Sequence, residues 1–277
     1  MPARIGVTAV TSSPQRRAGL RAQGIRPLVA DLDDPSSLRR LAGLATRVVH
    51  LAPPPGEGWT DARTRALVAA LRRRAPPVAL VYGSTSGVYG DCRGEWVSES
   101  RPARADTPRA RRRVDAERAV RFLGRTAGSR VSILRIPGIY ALDRDGGTPR
   151  GRLLKGTPVL CEADDVFTNH IQADDLARGC LAALWRGRSQ RVYNINDDSQ
   201  LKMGDYFDLA ADLFGLSRPP RIARSTAQTE LPLMLLSFMS ESRRLDNTRM
   251  KRELRLRLQY SHVAKGLQAD QFASNLK

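Results

Sequence analysis

The stretch Val78-Ala79-Leu80-Val81-Tyr82-Gly83-Ser84-Thr85-Ser86-Gly87-Val88-Tyr89-Gly90-Asp91 decides how the rest of the chain is read. Its first residues are continuously apolar, without the alternation of a strand that has one wet face. A strand covered on both faces has that pattern. Glycine and small hydroxyl residues then interrupt the run, as they do where a strand gives way to a turn. Hydroxyls at the carboxyl end of such a strand face the crevice in which open α/β sheets bind ligands. A serine- and threonine-rich turn that only caps the strand accounts for the same residues without a ligand.

Outward from this point, short apolar runs alternate with longer amphipathic segments. Strands are expected at Ile5–Thr11, Ile25–Ala30, Val48–Ala52, Val78–Tyr82 and Val131–Ile136. Helices are expected at Pro14–Gln23, at Pro35–Leu44 with Asp34 as N-cap, at Ala62–Arg74 and at Pro108–Ala127. Strands and helices in this order define an α/β fold, a doubly wound Rossmann-like parallel sheet. After Pro137 the rhythm changes. A loop is expected over Leu142–Gly151, a helix over Leu176–Trp185 introduced by Asp174-Asp175, a strand over Arg191–Ile195, and mostly helix from Met203. The expected division is a core domain over 1–196 and a smaller, mostly helical C-terminal lobe over 197–277.

Composition narrows the function classes. The 277 residues carry a net charge of +18 and are 41% hydrophobic. No apolar run approaches the roughly 20 residues that cross a bilayer, and the start has no apolar leader core, so a soluble cytoplasmic location is expected. Cys92, Cys161 and Cys180 form no Cys-x-x-Cys pair, which points to neither a disulfide framework nor a metal site. The positive charge is almost all arginine, spread through helices beside abundant alanine, as a codon bias produces. Aromatics are only 5% and do not interleave with the arginine runs, so nucleic acid is not an expected partner. A small anionic substrate is, and a homodimer stays open.

The quoted strand and loop resemble the extended short-chain dehydrogenase/reductase group, the NAD-dependent epimerase/dehydratase family. Four further segments agree in order: Asp31-Leu32, His50-Leu51-Ala52, Arg135-Ile136-Pro137-Gly138-Ile139-Tyr140, and Asn169 to Ala177. Met203-Gly204-Asp205-Tyr206-Phe207 and Glu241 to Asn247 resemble bacterial members described broadly as epimerases or nucleoside-diphosphate-sugar enzymes. The resemblance implies that residues 1–196 form an NAD(P)-binding domain and that Thr85, before the Tyr89-Gly90 pair, hydrogen-bonds the reacting substrate oxygen. It places Asp31 and Leu32 at the adenine, His50, Leu51 and Ala52 along the ribose, and Pro137 and Gly138 beside the nicotinamide. Ser12 and Arg16 stand where NAD-specific relatives place an acid, so NADP is favoured over NAD.

Two departures accompany these matches. The family opens with a strand and a Gly-x-x-Gly-x-x-Gly loop that brings backbone N–H groups to the pyrophosphate. Ile5–Thr11 fits the family's second strand instead, and a misplaced start codon, a shortened gene or an adaptation would each explain it. The family's Tyr-x-x-x-Lys pair, in which lysine helps a phenolate act as base, falls on Arg109 and Arg113. Neither supplies a phenol, so Tyr82, Tyr89 and Tyr140 are the alternatives, and Arg109 and Arg113 are candidates for binding ribose hydroxyls or a phosphate. The expected function is an atypical NAD(P)-dependent epimerase/dehydratase acting on a sugar nucleotide or other anionic metabolite. The other expectation is a non-catalytic dinucleotide sensor or interaction protein.

Overall fold

The computed structural model describes residues 5–274. Its centre is β4 (Ala79–Thr85), which is buried from Ala79 through Ser84. On one side it pairs in parallel with β3 (Arg47–His50), and on the other with β5 (Arg130–Ile136). β6 (Arg191–Asn194) continues the sheet beyond β5. The strand runs three residues further than expected, through Gly83-Ser84-Thr85. Ser84 Oγ donates to the buried Glu117 carboxylate at 2.7 Å, and any side chain at position 83 would come within 2.8 Å of Leu51 Cδ2.

The long helix α3 spans Pro108–Ala127, as expected. Thr107 accepts from Ala110 N–H at its start, proline occupies the first turn, and Gly128 closes it at φ +67°. Its Ala116, Val120 and Leu123 enter one core with Leu80, Tyr82 and Ile133, joined by Leu67 and Val68 of α2 (Ala62–Leu71). Glu117 turns inward from the same helix to Arg135, 2.9 Å away, with both side chains 6% exposed. On the other face α4 (Ala173–Arg186) packs Leu176, Cys180 and Leu184 against Val81, Leu134 and Ile195. Helices on both faces of a parallel sheet make this a Rossmann-like α/β fold.

Two expected elements differ. In place of a helix over Pro35–Leu44 there is a short 3-10 turn, Ser37–Leu41. Asp34 spends its carboxylate on Ser36 N–H, and Ser37 Oγ donates to the carbonyl oxygens of Asp31 and Asp34. These local bonds compete with an α-helical ladder. The cap of α4 is Gln172 rather than Asp174-Asp175. Asp175 is fully buried and instead accepts from Gln259 and Tyr260 N–H at 2.9 and 2.8 Å, pinning the C-terminal segment.

The N-terminal strands β1 (Thr8–Thr11) and β2 (Arg26–Val29) pair only with each other. Among the described residues no strand joins β1 to β3, and a cleft of about 750 Å³ lies between them. A second lobe covers the carboxyl edge. Its core draws Tyr140, Leu153, Val159 and Leu160 together with Met203, Tyr206, Phe207 and Leu267. Short strands of this region return to the main body, as Arg244–Leu245 pairs with Trp96–Val97. No helix among the described residues is long and apolar enough to cross a membrane.

Candidate active site

A cavity of about 440 Å³ opens where β4 and β5 end and the second lobe begins. Thr85 stands at its edge, held because its Oγ1 accepts from Gly87 N–H at 3.2 Å in the turn that follows the strand. Pro137 and Gly138 line the cavity beside it. Arg109, in the first turn of α3, also lines it, with its guanidinium 5.3 Å from the centre of the Phe238 ring. Arg113, one turn on, reaches β4 instead. Its Nη1 donates to Gly83 O at 2.8 Å and to Tyr82 Oη at 3.2 Å.

Of the expected alternative phenols, Tyr140 lines this cavity, while Tyr82 and Tyr89 do not. Tyr89 is fully buried and its hydroxyl donates to Asn194 Oδ1 at 2.7 Å, beneath the Arg135 guanidinium. It is thereby carried out of the cavity and into the core. Burial pushes the Tyr82 hydroxyl up to about 12, against the pull of the Arg113 charge. The Tyr140 hydroxyl is buried without a hydrogen-bond partner among the described residues, packed where a side chain at Gly266 would collide with it.

The residues expected at the adenosine end come together in a different place, the cleft between β1 and β3. Ser12, Arg16, Asp31, Leu32, His50, Leu51 and Ala52 all line it. His50 is anchored from behind. Thr64 Oγ1 donates to Asp61 Oδ2 at 2.8 Å, so the His50 Nε2–H must donate to Thr64 Oγ1, 2.9 Å away. Burial, assisted by the nearby Arg113 charge, lowers the imidazole to about 4 and keeps it neutral.

The second lobe contributes a cavity wall from the segments around His170, Tyr206 and Glu241, which the sequence marks by resemblance alone, and from Arg152, which was not singled out. His170 is 6% exposed and lies face to face with Tyr206, ring centres 4.0 Å apart, and burial lowers its imidazole to about 3. Phe207 meets Tyr206 edge-on and carries the Arg152 guanidinium 4.3 Å above its ring. Burial also lowers Arg152. Glu241 and Arg243 close the wall as an ion pair at 2.8 Å. The family resemblance over Glu241–Asn247 is the sequence signal for this pair; nothing local marks Arg152. No group of His, Cys, Asp and Glu side chains among the described residues is arranged to hold a metal ion.

A parallel sheet flanked by helices, with a cavity at the carboxyl ends of its strands and a separate cleft between β1 and β3, defines a Rossmann-like protein. Residues 3–196 match the NAD dependent epimerase/dehydratase family, and the chain belongs to that family. A comparison with curated protein sequences gives no significant match. Among solved structures, a functionally unknown conserved protein from Silicibacter pomeroyi is 29% identical with a TM-score of 0.79, over 97% of this chain and 90% of that one. The UDP-glucuronic acid 4-epimerase from Bacillus cereus in complex with NAD is 17% identical, with a TM-score of 0.73 over 98% and 91% of the two chains. A dTDP-glucose 4,6-dehydratase from Streptomyces venezuelae with NAD bound is 21% identical, with a TM-score of 0.74 over 97% and 87%. At that identity the last two are likenesses of fold.

Proposed function

We propose that this protein is an NAD(P)-dependent epimerase- or dehydratase-type enzyme that acts on a sugar nucleotide or another anionic metabolite in the first cavity. The observation that carries this reading is the setting of Thr85. A hydroxyl at the end of the central strand shares one cavity with Pro137, Gly138 and three arginines, Arg109, Arg152 and Arg243. Guanidinium groups suit phosphate and carboxylate oxygens. Thr85 would bind the reacting substrate oxygen, and the arginines would orient the anionic part.

The side chains of the second cleft suit the adenosine end of a dinucleotide, and Pro137 and Gly138 stand at the first cavity. Asp31 and Leu32 would hold the adenine, His50, Leu51 and Ala52 the ribose, and Pro137 and Gly138 the nicotinamide end. Ser12 and Arg16 would receive a 2′-phosphate, which favours NADP over NAD. When bound, the nicotinamide supplies a reversible hydride acceptor. Fluorescence titration with NADPH and NADH, followed by assays with UDP-glucose and UDP-glucuronic acid, tests the reading. Dinucleotide binding with conversion of a sugar nucleotide is the expected result. No binding of either dinucleotide and no turnover would sink it.

A further inference from the structure

The second-lobe wall of the first cavity is a continuous row of side chains. A side chain at Gly138 would meet His170 Cδ2 at 3.3 Å. His170 lies against Tyr206, Tyr206 meets Phe207, and Phe207 carries the Arg152 guanidinium. The row thus leads from the strand end at Pro137-Gly138 to a cation. Its rings are uncharged, because burial holds His170 near 3 and pushes the Tyr206 phenol above its ordinary value. Arg152 carries the only charge on the row.

Arg152 differs from the other two arginines of the cavity. Arg243 Nη1 donates to Glu241 Oε2 at 2.8 Å, and the Glu241 charge also acts on Arg109. Glu241 is the one acid among the described residues that line the cavity. Among the described residues no carboxylate acts on Arg152 in this way. Its Nε and Nη2 are enclosed without a hydrogen-bond partner, which leaves Nη1 as the nitrogen open to a ligand. The Phe207 ring attracts the cation through its face but offers no acceptor. A guanidinium taken out of water without a counter-charge weakens a fold. Its position is accounted for by a ligand that brings an anion with it.

Resting on the proposed function, we infer that Arg152 is a specificity-determining residue that receives a carboxylate borne by the reacting sugar of the substrate. A diphosphate would match the charge equally well. The row that holds Arg152 starts beside Pro137-Gly138, the nicotinamide end of the proposed dinucleotide, and that is where the sugar ring must lie for hydride transfer. The anion near Arg152 therefore belongs to the sugar, and the substrate class is a nucleoside-diphosphate uronic acid. Its diphosphate is left to Arg109.

Calorimetry on the full chain, with NAD or NADP added, tests this with UDP-glucuronic acid, UDP-glucose and UDP as probes. The wild type should bind UDP-glucuronic acid about tenfold more tightly than UDP-glucose, near the lower end for a hydrogen bond to a charged group. Arg152→Met keeps a chain over Phe207 and removes the charge. It should abolish that preference while holding UDP and UDP-glucose within about threefold of wild type. Its melting temperature should be no lower, because the charge removed has no counter-charge in the cavity wall. Arg152→Lys, which keeps the charge without the planar fork, should retain part of the preference. R152M weakening all three probes alike would move Arg152 to the diphosphate and overturn the carboxylate assignment alone. So would a wild type that binds the two sugar nucleotides equally. A wild type that binds none of the probes would overturn the proposed function and this inference with it.

Discussion

Arg113 Nη1 donates to the carbonyl oxygen of Gly83 across 2.8 Å, tying the long helix to the central strand two residues before Thr85. The same nitrogen reaches the Tyr82 hydroxyl. A side chain expected to serve a ligand therefore braces the strand end that presents Thr85. Arg113→Met should cost about 1.5–3 kcal/mol, the range for hydrogen bonds to a charged group. Urea unfolding measures this, and Arg113→Lys should recover part of the loss.

The Thr85 hydroxyl has two tasks that separate by substitution. Thr85→Val removes the acceptor for Gly87 N–H, worth about 1 kcal/mol of stability. If Thr85 also binds the reacting oxygen, turnover should fall by about 100-fold, as when one positioned donor is removed from an active site. Thr85→Ser should keep most of both. Steady-state kinetics beside thermal unfolding distinguishes the two, and a valine variant with undiminished turnover would remove Thr85 from the chemistry.

Glu117 and Arg135 are a buried pair, and Glu117 also accepts from Ser84. Their mutual bonds lift the Arg135 guanidinium above its ordinary value despite burial. Glu117→Ala leaves that guanidinium in the core without its carboxylate. A loss of about 3–5 kcal/mol is expected in denaturant titration. Replacing both members with apolar residues should cost less than the single change.

Stability should depend on pH through three buried groups. His50 and His170 titrate near 4 and 3 in the folded protein, below the ordinary 6.5. As pH falls below 6.5 the unfolded chain binds protons that the folded one refuses, and stability drops by roughly 1.4 kcal/mol per pH unit for each histidine. Burial raises Asp197 from 3.8 to about 7, so between those values the folded state holds a proton that the unfolded state has released. Its contribution therefore falls as pH rises through that window. Between pH 4 and 6.5 these three groups should leave a net gain with pH of roughly one histidine's slope. Asp197→Asn should about double that slope in urea titrations run at several pH values. An unchanged slope would remove Asp197 from this balance.

Local chemistry made much of the fold legible. Thr107, Pro108 and Gly128 mark both ends of α3 in the primary structure, and its boundaries agree with them. The turn at Ser37–Leu41 was hidden because its outcome depends on which backbone groups the Asp34 and Ser37 side chains bind. The strand-end residues around the cleft could be read because each follows its own strand. Tyr89 shares a motif with Thr85, yet its partner Asn194 lies 105 positions away, and no spacing announces that bond. Arg152, Tyr206 and Glu241 reach the cavity only through the packing of the second lobe, with Asn169 tying the Glu241 segment down from 76 positions before Leu245.

The division of the strands into a pair and a set of four has a consequence for how the molecule loosens. No residue of β1 or β2 is fully buried, and their ladder is shared only between themselves. The four-stranded set has β4 at its centre with every position from Ala79 to Ser84 shielded. Amide protons in the two groups should therefore exchange with deuterium on two different clocks, the N-terminal pair through brief local opening and the larger set only through global unfolding.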